Sequence, residues 1–228
     1  MFSLVRIISV CCVVMTATVW ATPPSTVLVH PLTANKTQPN LVPSDTSKQT
    51  LRAKLAVLHA FSSDFQQTVY AVNGQVLQHS SGTIAVAKPN KINWHTTKPD
   101  ESLIVSDGTA LWVYDPFIEQ VTAYRLNSAL ANTPLLLLSD NSDKSWQQYQ
   151  VSQIADNGYT IQSNDPDSQV KTFTVYFTDQ HITKLNLVDA TGQVSDIVLS
   201  HVTDLTTTTT SPLFTFNMPK GVELDDQR

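Results

Sequence analysis

Apolar residues change their spacing along this chain, and the changes mark its elements. Leu51, Leu55 and Leu58 stand at i, i+4 and i+7, Phe61 continues the stripe, and Arg52, Lys54 and His59 occupy other faces. That spacing predicts an amphipathic helix. From Phe65 the period falls to two. Phe65 to Val72 and Gln75 to Lys88 read as a hairpin around Asn73-Gly74, a pair suited to the left-handed backbone of a tight turn. Between Ile92 and Tyr124, four short apolar runs are divided by Lys98-Pro99-Asp100, Ser106-Asp107-Gly108 and Asp115-Pro116, which predicts an antiparallel meander. A second helical piece is expected from about Leu126 to Ser139, with Thr133 as N-cap and Pro134 in the first turn, where its missing N–H costs nothing. Leu135, Leu136, Leu137 and Leu138 follow without a polar break. Four consecutive leucines cannot share one face, so this turn must be covered nearly all round or touch something apolar. Strand signals return at Gln148–Ile154, Tyr159–Ser163, Thr172–Thr178, Ile182–Val188, Ile197–Val202 and Leu213–Met218, with turns at Asn157-Gly158 and Thr191-Gly192. The expected fold class is mainly β with α, a curved antiparallel sheet of about ten or eleven strands, because so large a sheet with few helices curls.

The two faces of the predicted strands differ. Ile84, Val86, Ile92 and Trp94 share one parity, while Lys91, Asn93 and His95 fall on the other. In Leu111-Trp112-Val113-Tyr114 both faces are apolar. An ordinary β core under a helix accounts for this pattern; so does a sheet whose apolar face is a cavity closed by a helical lid. Lys88 shares the parity of Ile84 and Val86, which puts a cation at the end of the greasy face. A rim lysine that lays its stem on apolar surface and its ammonium in water would fit there.

The N-terminus reads as a secretory signal over residues 1–21. Arg6 precedes an apolar run from Ile7 to Val19, and Val19-Trp20-Ala21 suits cleavage. Both cysteines, Cys11 and Cys12, lie inside that run, so the mature chain would hold no disulfide and no thiolate metal site. Residues 22–47 carry Pro23, Pro24, Pro31, Pro39 and Pro43 among Ser, Thr and Asn, the composition of a disordered linker. The folded domain is expected at 48–228, about 180 residues, enough to bury a core without disulfides. Losing Arg6 with the signal takes the formal charge from −5 to −6. An acidic chain without a basic cluster is a poor candidate for nucleic acid or for lasting attachment to anionic membrane. Enzyme signatures are absent as well: there is no GxSxG elbow, HExxH pair or phosphate loop, and His30, His59, His79, His95, His181 and His201 show no metal-ligand spacing.

The words of the meander carry a resemblance. Asn93-Trp94-His95, Pro99-Asp100-Glu101-Ser102, Val105-Ser106-Asp107-Gly108, Leu111-Trp112 and Tyr114-Asp115-Pro116-Phe117 resemble the outer-membrane lipoprotein carrier family, LolA. Asn132-Thr133-Pro134, Trp146-Gln147-Gln148-Tyr149 and Asp225-Asp226-Gln227-Arg228 extend the likeness over most of the chain past about residue 50. The resemblance implies a half-barrel closed by a helical lid, working in the periplasm as a monomer without cofactor, metal or enzymatic activity. Its cargo would be triacylated lipoproteins, donated by an inner-membrane ABC release complex (LolCDE-like) and accepted by an outer-membrane receptor lipoprotein (LolB-like), with no stable membrane insertion. Acyl chains would then meet Ile92, Trp94, Trp112, Leu51, Leu55 and the Leu135–Leu138 turn. Lys88 stands where the family usually has an arginine that latches the lid by bonding backbone carbonyls. Lysine offers three donors on a point charge instead of a planar fork, so its latch should be looser. A periplasmic regulatory module on a similar fold, or a lipid or ester hydrolase, are the alternatives in other classes.

Overall fold

A computed structural model describes residues 42–126, 137–140, 142–154, 157–205 and 212–228. The first helix, α1 (Asp45–Val57), is capped by the Ser44 side chain, which accepts from the Ser47 backbone N–H at 3.1 Å. It therefore takes in three residues of the expected linker. Leu51 and Leu55 are its fully buried stripe. The helix ends where the Leu58 N–H turns back to the Leu55 carbonyl at 3.2 Å. Phe61 does not continue that stripe, contrary to expectation. It lies in β1 (Ala60–Tyr70), where Phe61, Ser63, Phe65, Gln67 and Val69 are all buried with a period of two.

The hairpin about Asn73-Gly74 is present and joins β1 to β2 (Val76–Ala87). The meander follows as β3 (Lys91–Lys98), β4 (Ser102–Asp107), β5 (Ala110–Asp115) and β6 (Gln120–Arg125). A four-residue helix, α2 (Asp143–Trp146), precedes β7 (Tyr149–Ile154), β8 (Gly158–Ser163), β9 (Val170–Thr178), β10 (His181–Asp189) and β11 (Val194–Asp204). The sequence reading missed α2. Its N-cap is Ser142, and it carries the fully buried Trp146. Most of the second helix expected from Leu126 to Ser139 lies outside the described residues, as do Leu135, Leu136, the signal segment and residues 22–41 of the linker. No helix among the described residues is long and apolar enough to cross a membrane.

The twelve strands among the described residues form one open, curved sheet in the order β12-β6-β5-β4-β3-β2-β1-β11-β10-β9-β8-β7. The last of them, β12 (Glu223–Gln227), corrects the sequence reading. Leu213–Met218 was the expected final strand, but Pro212–Phe214 is a 3-10 turn and Thr215–Pro219 takes no regular form. Proline at 212 and 219 deprives that stretch of ladder donors. Its partner is instead the outer face of the sheet, where Asn93 Nδ2 donates to the Leu213 carbonyl at 2.6 Å. β12 then joins β6 in parallel, in a sheet whose other described pairings are antiparallel.

Register defines the faces. Ile84 lies opposite Trp94, Trp94 opposite Ile104, and Ile104 opposite Val113, so these four share the inner face. On the other side of β1, Phe65 lies opposite Leu199 and Gln67 opposite Ile197, while Leu185 faces Ile197 from β10. Val175, Tyr159 and Ile161 extend the same buried cluster to β8. Gly82 sits opposite Phe65 where β3 shifts register, and a Cβ there would lie 1.9 Å from the His95 carbonyl oxygen. The obstacle is backbone and cannot swing away. Gly82→Ala is expected to destabilise the fold by about 3 kcal/mol, read as a lowered urea midpoint with an unchanged m-value.

Candidate functional site

A sheet with one continuous apolar face must cover it. α1 contributes Leu51 and Leu55; Leu126, Leu137 and Leu138 add to the cover; and α2 contributes Trp146. All six are packed into the same cluster as Ile84, Val86, Ile92, Trp94, Ile104 and Val113. Trp94 meets Phe65 with ring centroids 4.6 Å apart. Of the residues expected at the acyl site, Ile92, Trp94, Leu51, Leu55, Leu137 and Leu138 are thus brought together on the inner face.

Trp112 is not among them. It lies opposite Val105 and Ala123, on the outer face, while its neighbours Leu111 and Val113 point inward. There it stacks on Phe216 at 5.4 Å, and the Arg228 guanidinium lies 4.8 Å from its ring centre. Arg228 also donates to Asp226 at 2.7 and 2.8 Å, and those bonds hold the Asp226 carboxyl down at about 2. Between this C-terminal segment and the sheet runs a groove of about 470 Å³ lined by Leu103, Val105, Tyr114 and Phe216. Both faces of β5 are apolar because both are covered, one by the lid and the other by residues 212–228.

Polar contacts join the lid to the sheet at the Lys88 rim, and at the start of α1 the Ser44 N–H bonds the Val151 carbonyl of β7 at 3.0 Å. Lys88 Nζ, half-buried at the end of β2, donates to the Leu55 carbonyl in the last turn of α1. Two residues on, the Asn90 N–H reaches the Ser139 carbonyl at 3.3 Å, and the Leu126 N–H reaches Thr109 at 3.2 Å. The Asn90 carbonyl is itself held by the Ser106 hydroxyl at 2.7 Å. The Lys88-Pro89-Asn90 turn therefore touches α1 and, at Ser139, the residue next to Leu138. Burial pushes the Lys88 ammonium below its usual lysine range. Within the lid, Arg52 bonds Asp143 at 2.6 Å and lies over the Trp146 ring, so α1 and α2 are tied to each other. No cluster of three or more metal-ligating side chains is found among the described residues.

A family model for the outer membrane lipoprotein carrier protein LolA matches residues 56–217. The chain belongs to the LolA family. It is 47% identical over 180 residues to an outer-membrane lipoprotein carrier protein of Aeromonas salmonicida, covering 78% of this chain and 88% of that one. A namesake from Photorhabdus laumondii is 40% identical over 183 residues, covering 80% and 89%. Among solved structures, a LolA superfamily protein of Nitrosomonas europaea superposes with a TM-score of 0.46 at 12% identity, covering 75% and 98%.

Within this LolA chain the sequence reading missed Phe65, Trp146 and Phe216. Phe65 was legible from its parity with Phe61 and Val69. The other two depend on contacts made far along the chain. Trp112→Ala should cost about 2 kcal/mol, because the ring is only half-buried. Hydrogen exchange is the measurement: amides of β12 and β6 should exchange faster, and those of β8 to β10 should keep their protection.

Proposed function

We propose that this LolA-family chain is a periplasmic carrier that holds lipoprotein acyl chains between its lid and the inner face of its sheet. The observation that carries the reading is the Lys88 bond to the Leu55 carbonyl, which fastens the C-terminal end of the lid helix over a largely apolar face, while the Ser44 N–H holds its other end to the Val151 carbonyl at 3.0 Å. Lifting α1 would expose Leu51 and Leu55 and the residues beneath them. Two buried leucines are worth about 3–6 kcal/mol together, and a net hydrogen bond adds about 1. One long acyl chain brings on the order of 10 kcal/mol, at about 0.8 per methylene. Cargo is therefore strong enough to displace the lid, and the lid strong enough to cover the face when cargo leaves. That balance suits a shuttle, which must bind and also give up its load.

The proposed cargo is the triacylated N-terminus of outer-membrane lipoproteins. An inner-membrane ABC release complex would load the carrier, and an outer-membrane receptor lipoprotein would unload it. The relatives' printed names and the signal-like N-terminus support this assignment.

The test is Lys88→Leu in a reconstituted transfer assay. It should still accept lipoprotein from inner membranes but pass it to outer membranes at least tenfold more slowly, because the empty closed state that drives release has lost its fastening. Unchanged delivery would remove Lys88 from the mechanism. Proton linkage adds a second readout. The lid-closed form holds Lys88 with a lowered pKa, and opening returns it toward the ordinary 10.5. The cost of confining the charge is fully present at neutral pH and fades as pH rises through the lowered value toward 10.5. Raising pH across that window should favour closure and weaken uptake of a fluorescent acyl probe by the wild type, while leaving Lys88→Leu flat.

A further inference from the structure

The Tyr114-Asp115-Pro116-Phe117 motif plays no part in the lid or the inner face. Its turn, between β5 and β6, leaves Phe117 83% exposed and Ile118 57% exposed. Exposed aromatics on loops are common, but this backbone is closely fixed. One Asp115 carboxylate oxygen accepts from the Phe117 N–H at 2.9 Å and the Ile118 N–H at 3.4 Å. Glu119 takes a left-handed φ of 52°, and its carbonyl is held by the Glu223 N–H at 3.0 Å. A non-glycine residue in that region is uncommon, and here it lies in the turn that leaves two apolar side chains in water. Anchors held in place before contact lose little freedom on binding, and aromatic anchors dominate protein interfaces.

The surroundings select the partner. Asp115 and Glu119 flank the two side chains, and Glu223 is bonded to Glu119 through the backbone. Leu103 lies opposite Tyr114, which sets the β3–β4 turn, with Asp100 and Glu101, beside the end of β5. His95 is engaged by Glu101 at 2.8 Å, Lys98 stands two residues before Asp100 and Lys220 three before Glu223, and these two lysines are outnumbered by Asp100, Glu101, Asp115, Glu119 and Glu223, so carboxylate predominates. An acidic collar would be repelled by anionic lipid. It complements a protein socket that is apolar at its floor and cationic at its rim. The turn also lies at the rim of the sheet opposite Lys88 and Asn90, since β5 runs from the Thr109 side, where Leu126 is bound, toward Asp115. Docking there leaves the fastened rim of the lid free.

We infer that the Phe117–Ile118 turn is the docking knob by which this chain engages a membrane-anchored protein partner through such a socket. The inference rests on the carrier reading above. The experiment compares the wild type with Phe117→Ser/Ile118→Ser. Spheroplasts retaining newly made lipoprotein serve as donor, and isolated outer membranes as acceptor. Both substituted side chains are exposed, and a fluorescent acyl probe reports whether the inner face is intact. The expected result is probe affinity within twofold of wild type with release or delivery reduced at least tenfold. Glu119→Lys, which keeps the apolar pair, should slow the same step and flatten its dependence on salt. Wild-type rates at both steps for the double variant would overturn the inference. So would a loss matched by equal loss of binding to protein-free phosphatidylglycerol–phosphatidylethanolamine vesicles, which would make the knob a lipid contact. Failure of the wild type itself to release any lipoprotein would instead overturn the carrier reading, and the docking inference with it.

Discussion

The structure depends on one constraint: a continuous apolar sheet face cannot be left in water. Trp94, Phe65, Ile104, Val113, Phe173 and Leu185 spread that face across strands from both halves of the sheet. No single helix of thirteen residues could cover all of it. The cover is therefore assembled from α1, from Leu126, Leu137 and Leu138, and from α2, with Arg52 and Asp143 tying the two helices together. A composite cover attached by a few polar contacts is easier to lift than a continuous core is to unfold. The same apolar face that stabilises the empty protein is thereby the surface on which an acyl chain would lie.

The polar contacts are arranged to match. Lys88 and Asn90 reach α1 and Ser139 from one turn, and Ser106 braces that turn. Lysine in this position gives a fastening with one strong, weakly directional bond. The outer face is managed differently. Residues 212–228 lie on it through Phe216, Leu213 and Arg228, and β12 occupies the free edge of β6. That edge would otherwise offer unpaired backbone groups to another chain.

Much of this was legible in the sequence. Asn73-Gly74 fixed the first hairpin, and the shared parity of Ile84, Val86, Ile92 and Trp94 identified the inner face without any tertiary information. Leu51 and Leu55 gave the lid stripe. What escaped were features decided by distant partners. In Leu111-Trp112-Val113-Tyr114 the side that faces inward is set by pairing with Ile104 and by the arrival of Phe216, neither of which is local. Phe61 fits a helical stripe and a strand alternation alike, and pairing with Val86 settles it in favour of the strand. β12, Glu-Leu-Asp-Asp-Gln, has one apolar side chain and gives no alternation to detect. A short, charged edge strand is held by backbone bonds to its neighbour, which leave no mark on composition.

The central claim is that the inner face exchanges its lid for acyl chains. Native mass spectrometry of the mature protein, recovered from the periplasm of a lipoprotein-exporting cell whose outer-membrane acceptor is depleted, tests it most directly. The account predicts a population carrying one triacylated polypeptide, in a complex that excludes free fatty acid from the same site. Protein loaded only with fatty acid or phospholipid, or wholly empty while lipoprotein accumulates at the inner membrane, would contradict it.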